Sequence, residues 1–106
     1  MLELAAAGYN ELGNRLGQAN CIQSLGDIHL RRSDHDFAHA AYQKALAMYR
    51  SISDPYSSGR ALYSLARLET TPKTQRQLVA EAVAALTSIN RPDLIATLQT
   101  EFPNNP

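Results

Sequence analysis

Apolar residues recur at steps of three and four along almost the whole chain, and no stretch keeps the alternation typical of a β-strand. Two such series are Ile22, Leu25, Ile28 and Ala38, Tyr42, Ala45, Tyr49, Ile52. This spacing places the apolar side chains on one face of an α-helix. The segment between the two series, RRSDHD, is polar, and Ser33 or Asp34 is suited to cap the second helix. The pattern predicts two helices packed antiparallel as a hairpin.

Further helices are predicted on both sides of this hairpin. Asp54-Pro55 and Thr71-Pro72 each pair a capping residue with a proline at the first helical position. The segment NRP at 90–92 breaks the chain again before the amphipathic stretch DLIATLQTEF. At the other end, LELAAAGYNEL is compatible with a short helix closed by GNRLG, and the tail PNNP is expected to fray. The pattern therefore predicts an all-α fold of about six helices.

Composition narrows the classes of function. The chain has 106 residues, and its ten Lys and Arg balance ten Asp and Glu. A nucleic-acid-binding domain normally carries surplus basic charge to neutralise phosphates, so we expect no nucleic-acid partner. The apolar runs are far shorter than the ~20 residues of a membrane span, and we expect no membrane contact. The single Cys21 and the lack of a signal-peptide pattern favour a cytoplasmic location, with Cys21 buried as a small apolar residue.

The chain also repeats itself at an offset of 40 residues. Residues 19–52 then fall on residues 59–92 without a gap. Identical residues meet at helix-packing positions, namely Ser24, Leu25, Ala40, Ala45 and Leu46 against Ser64, Leu65, Ala80, Ala85 and Leu86. The same offset places the opening LAAAGYNEL on ALAMYRSI. We therefore predict a repeat protein in which this sequence begins with the second helix of an incomplete repeat.

The packing positions resemble the tetratricopeptide repeat. That family's pattern is a large residue, Leu-Gly and an aromatic on the first helix, then Ala, a large ring and Ala on the second. The matching residues here are Ile22, Leu25-Gly26, His29, Ala38, Tyr42 and Ala45. Small residues at Gly26, Ala38 and Ala45 would let the two helices approach closely, while Tyr42 and Leu25 would fill the space between hairpins. The longer period resembles the 40-residue variant found in G-protein-signalling scaffolds and in the sensor arrays of signalling ATPases.

The resemblance implies a right-handed solenoid and a particular division of the chain. Residues 1–16 would be a partial repeat, 17–54 repeat one and 55–90 a degenerate repeat two. Residues 91–102 would form a capping helix and 103–106 a frayed tail. The function implied is non-catalytic protein–protein interaction without a cofactor, within a longer scaffold or regulator.

The three histidines raise the question of a metal or acid–base site. His35 and His39 lie four residues apart on one helix face, a spacing that can hold a metal. A structural zinc site needs four ligands and a catalytic one about three, and no Cys or Glu at ligand spacing completes the set. We expect His29 to be a packed ring, and adventitious metal binding by His35 and His39 is left open. No phosphate loop or catalytic triad is present, so no enzyme is predicted.

In the resemblance, the first helices of the hairpins line a concave face that binds a peptide or a partner protein. The residues on this face that fall between the packing positions are Asn20, Gln23, Asp27, Arg31, Arg60, Tyr63 and Arg67. Arg60 and Arg67 are suited to an acidic ligand, and Arg, Tyr, Asn and Gln are side chains that grip peptides. The family's clamp for a C-terminal carboxylate uses Lys and Asn at positions where this chain has Gln23, Tyr63, Asp27 and Arg67, which argues against that ligand class.

Three alternatives stay open beside partner binding. The exposed residues between packing positions are, in the simplest interpretation, an ordinary solvated helix face. The incomplete first hairpin leaves apolar surface bare, so self-association through LELAAAGYNEL is the rival function. A metal-dependent activity through His35 and His39 is the third alternative.

Overall fold

The computed structural model describes residues 2–103, with side chains from residue 13 onward, and every regular element in this range is a helix. The five helices are α1 (Leu2–Arg31), α2 (His35–Ser51), α3 (Pro55–Leu68), α4 (Pro72–Ser88) and α5 (Pro92–Glu101). Each helix packs mainly on the next one along the chain. The predicted all-α fold of stacked antiparallel hairpins, similar to a tetratricopeptide solenoid, is confirmed.

There are five helices within residues 2–103, close to the predicted six, because GNRLG does not end a helix. Helix α1 continues for 30 residues through Gly13 and Gly17. A glycine inside a helix costs only about 1 kcal/mol relative to alanine, and no proline interrupts this segment. The division of the chain into repeats at residues 16, 54 and 90 stays a prediction. The tail at 104–106 lies outside the described residues.

The helix starts follow the predicted punctuation. Prolines occupy the first position of α3, α4 and α5, where a missing N–H costs nothing. The carboxylate of Asp54 caps α3 by accepting a hydrogen bond from the Ser57 N–H at 3.0 Å. Three turns place a non-glycine residue in the left-handed region, with φ of 62° at Ser33, 54° at Ser53 and 55° at Asn90.

Small residues bring α1 and α2 together as the repeat pattern predicts. Gly26 is buried against the ring of Tyr42, and a Cβ placed on Gly26 would lie 2.6 Å from Tyr42 Cε1. Ala38 and Ala45 on α2 are completely buried, and Tyr42 is 1% exposed. The close approach of the two helices therefore depends on the absence of a side chain at Gly26.

One face of α1 is bare, and two predictions about it are wrong. Leu25, expected to fill space between hairpins, is 50% exposed, and Cys21, expected to be buried, is exposed. Ile28, on the same face, is 41% exposed. The spacing of apolar residues identifies which face can pack, but not whether a helix lies against it. None of the described helices is long and apolar enough to cross a membrane.

Candidate functional site: the surface between α1 and α3

Two buried tyrosines of α2 donate hydrogen bonds to polar residues of α1. Tyr42 donates a hydrogen bond to Asp27 Oδ1 at 2.5 Å, and Tyr49 donates to Asn20 Oδ1 at 2.6 Å. The tyrosines are seven residues apart on α2 and their acceptors seven apart on α1, so the two pairs match in an antiparallel hairpin. Burial and the hydrogen bond to Asp27 raise the pKa of Tyr42, and burial raises the pKa of Tyr49.

Gln23 joins α1 to α3. Its Nε2 donates to Ser64 Oγ at 3.0 Å, across 41 residues of sequence. The side chain is only 4% exposed, and its Oε1 is buried without a hydrogen-bond partner among the described residues. The expectation that Gln23 is an exposed position is therefore wrong, because Ser64 from the next hairpin covers it. Gln23 connects the two helices that form this surface.

On the α3 side, a charged cluster extends to α5. The guanidinium of Arg67 lies 3.3 Å from Glu101 Oε1 and 5.6 Å from the centre of the Tyr63 ring. The Tyr63 hydroxyl donates a hydrogen bond to the Glu101 carboxylate. This hydrogen bond and burial raise the pKa of Tyr63. The Tyr63 ring also packs edge-on against Phe102. The positive charge of Arg67 is thus offset by a carboxylate of the chain itself.

Arg60 stands apart from this cluster. Its side chain is exposed and makes no ion pair with any residue whose side chain the structure describes. Beside it opens a cleft of about 200 Å³ between α3, α4 and α5. Its aliphatic lining is Leu86, Leu94 and Leu98, and the cleft is also lined by Gly59, Tyr63 and Thr97. An available cation therefore lies at the mouth of an apolar cleft.

The remaining candidates are spread along the same two helices. Asn20 is exposed while bonded to Tyr49, Asp27 is half-buried, and Arg31 is exposed in the last turn of α1. The structure thus brings Asn20, Gln23 and Asp27 together with α2 and α3. It draws Tyr63 and Arg67 towards α5.

The histidines do not converge on a ligand set. Over the described part of the chain, no group of three His, Cys, Asp or Glu side chains is placed to hold a metal ion. The His29 ring is half-buried and stacks on Phe37 with centroids 5.3 Å apart, so the expected packed ring is confirmed. Its Nδ1 lies 3.8 Å from Asp34 Oδ2. These contacts give His29 a packing role at the α1–α2 turn.

Comparison with known protein families gives a match for the first hairpin. Residues 1–51 match the tetratricopeptide repeat. This match supports the family suggested by the packing positions, and the tetratricopeptide repeat in turn suggests a module for protein–protein interaction. No curated protein and no solved structure matches the chain.

The sequence pattern predicts neither the role of Glu101 nor the cleft beside Arg60. Glu101 is 34 residues from Arg67, and nothing in the pattern of α5 indicates which side chain reaches α3. A usable signal did exist for the tyrosine pairs. A buried tyrosine needs a partner for its hydroxyl, and Asn20 and Asp27 have the seven-residue spacing of Tyr49 and Tyr42.

Proposed function

We propose that the chain is a non-catalytic interaction module that binds a peptide or partner protein through the concave face formed by α1 and α3, as part of a longer scaffold or regulator. The tetratricopeptide match over residues 1–51 supports the general function. The observation that carries the site is Arg60, an α3 residue of this face, which has no ion-pair partner among the described side chains and also lines the apolar cleft between α3, α4 and α5.

The ligand chemistry follows from this pairing. Arg60 suits a carboxylate, which a guanidinium can hold with two parallel hydrogen bonds. The cleft lined by Leu86, Leu94 and Leu98 suits one large apolar side chain. The proposed ligand is therefore a peptide with an acidic residue close to a large apolar one. Arg67 contributes less, since an acidic ligand must first displace Glu101 from it.

Selection from a random peptide library, followed by anisotropy titration of the selected sequences, tests this function. We expect selected peptides to combine Asp or Glu with Leu, Ile, Met or Phe. Arg60→Glu should weaken their binding at least tenfold, because it replaces attraction with repulsion. Arg76→Glu is the matched control, since Arg76 is exposed on α4 away from this surface and undergoes the same change of charge. Equal losses for the two variants would refute the assignment.

Self-association is the second candidate function, and the bare face of α1 favours it. Leu25 and Ile28 are half exposed although large and apolar. Apolar side chains grouped on one helix face mark a contact surface more often than isolated ones do.

A further inference from the structure

The bare apolar face of α1 has a covered counterpart on α3. We call the residues Cys21, Leu25 and Ile28 the Leu25 face. Forty residues later, the equivalent positions are Ala61, completely buried, Leu65, 3% exposed, and Leu68, half-buried. Helix α2 packs against α3, whereas Leu25 and Ile28 stay about half exposed, and the exposed Cys21 borders an open cleft beside Lys44 and Met48 of α2. The internal repeat therefore indicates what kind of element fits the Leu25 face, namely a helix equivalent to α2.

The contact between α2 and α3 also fixes an alignment. The Tyr42–Asp27 and Tyr49–Asn20 hydrogen bonds set Leu46 of α2 level with Gln23 of α1, and Gln23 is hydrogen-bonded to Ser64 of α3. Leu46 is thus level with Ser64. Moved forty residues towards the start of the chain, the same antiparallel alignment sets residue 6 level with Ser24 and residue 8 within one residue of Cys21.

Residues 2–12 carry the sequence of such a covering helix. Ala5 and Tyr9 are the repeat equivalents of Ala45 and Tyr49, both of which are buried in α2. The apolar residues of the segment recur at helical spacing, at Leu2, Ala5, Ala6, Tyr9 and Leu12. In the structure this segment belongs to the same continuous helix as the rest of α1. A continuous helix cannot fold back on its own surface, but it can reach the same surface on another molecule.

We propose that two copies of the chain pair antiparallel through their α1 helices, with residues 2–12 of each copy covering the Leu25 face of the other. This pairing deepens the self-association candidate and does not depend on the proposed peptide ligand. It repeats the α2–α3 contact between molecules, and two-fold symmetry buries both faces at once. Because Cys21, Leu25 and Ile28 carry no formal charge, the pairing should persist at high salt concentration.

Disulfide trapping with the native Cys21 tests the alignment. In Gly8→Cys, the alignment places the new residue within one residue of Cys21 in the other copy, so we expect the two Cα atoms to approach closely enough for a disulfide. We expect mild oxidation to give a species of twice the 11.6 kDa chain mass on a non-reducing gel. Asn10→Cys is the matched control, because two residues further along a helix point about 200° away, and it should stay monomeric on the gel.

The other outcomes of trapping contradict the pairing. A disulfide within one chain would show that residues 2–12 fold back on their own α1, and the occupant would then not be a second copy. Equal trapping of the Gly8→Cys and Asn10→Cys variants, or none of either, would also refute the alignment.

Light scattering over a range of concentrations separates this proposal from self-association in general. Leu25→Glu should abolish a dimer that the wild type and Gln43→Glu both form, Gln43 being exposed on α2. A dimer that survives Leu25→Glu and gives no disulfide in Gly8→Cys would associate elsewhere and would overturn the pairing alone. A strictly monomeric wild type would overturn self-association as well. Circular dichroism checks that each variant is folded.

Discussion

Hydrogen bonds from two buried tyrosines connect α2 to α1. Tyr42 and Tyr49 are almost completely buried, and each hydroxyl has an acceptor on α1. A buried hydroxyl without a partner costs about 1–3 kcal/mol, so these acceptors decide whether a tyrosine is tolerated at these positions. The half-buried Asp27 carboxylate gains in turn, because a donor replaces the water it has lost. The polar residues of α1 therefore have a structural role whether or not they contact a partner.

Removing one of these hydroxyls should measurably destabilise the chain. Tyr42→Phe leaves Asp27 without its donor, and we expect the free energy of unfolding to fall by about 1–2 kcal/mol. Urea denaturation followed by circular dichroism at pH 7 measures this. Tyr56→Phe is the control, because Tyr56 is 42% exposed and its change should be smaller. Equal losses in both variants would show that the Tyr42–Asp27 bond contributes nothing specific.

The same pair predicts a pH dependence. The folded chain keeps the Tyr42 proton above pH 10, where an unfolded tyrosine loses it, because the folded pKa is raised. The folded state then binds more protons than the unfolded state, and the free energy of unfolding falls as pH rises above about 10. The decline in Tyr42→Phe should be shallower than in the wild type, by up to about 1.4 kcal/mol per pH unit.

Contact between helices in the first hairpin depends on Gly26 of α1. The Tyr42 ring occupies the space that any larger residue at 26 would need. Gly13 and Gly17, in the same helix, have no atom within 4 Å of the equivalent Cβ position. Among the three glycines of α1 whose surroundings the structure describes, Gly26 alone lies against a neighbouring helix.

These environments predict opposite effects for the same substitution. Gly26→Ala should lower the free energy of unfolding by about 1–3 kcal/mol, because the steric conflict with the Tyr42 ring outweighs the better helix propensity of alanine. Gly17→Ala should raise it by about 0.5–1 kcal/mol, since propensity acts there alone. Thermal and urea unfolding of the two variants measure both values. A gain in stability for Gly26→Ala would contradict the packing described for this hairpin.

At the scale of the whole molecule, α5 completes the second hairpin. Leu98 and Phe102 are 3% and 8% exposed, and they cover apolar surface on α3 and α4. Glu101 adds polar contacts to Tyr63 and Arg67 of α3. Without α5, the apolar surface of α3 and α4 that Leu98 and Phe102 cover would be exposed to water.

Removing α5 should therefore destabilise the remaining helices. A chain ending at residue 91 loses the burial of two large apolar side chains, and we expect the free energy of unfolding to fall by about 3–5 kcal/mol. A chain ending at Phe102 should unfold like the full one. Differential scanning fluorimetry, with a dye that binds exposed apolar surface, compares the unfolding midpoints of the two chains. An unchanged midpoint in the shorter chain would show that α5 contributes no packing energy.

Local sequence rules account for most of this architecture and for little of the binding surface. Proline and capping residues predicted the starts of α3 and α4, and the repeat pattern predicted the close approach of α1 and α2 at Gly26, although not that the Tyr42 ring would lie against it. The exposure of Leu25 could not be predicted, because periodicity says nothing about whether a neighbouring helix is present. The burial of Gln23 depends on Ser64, 41 residues away, and such a contact leaves no local pattern.

The paired spacing of the tyrosines and their acceptors also limits how the first hairpin can move. A helix that slides along its neighbour does so in steps of about one turn, near 5.4 Å. Such a step would separate Tyr42 from Asp27 and Tyr49 from Asn20 at once, leaving two hydroxyls buried in the wrong place. Sliding of α2 along α1 would therefore break both hydrogen bonds at once. We expect the two helices of the first hairpin to move together as a rigid unit when a partner binds.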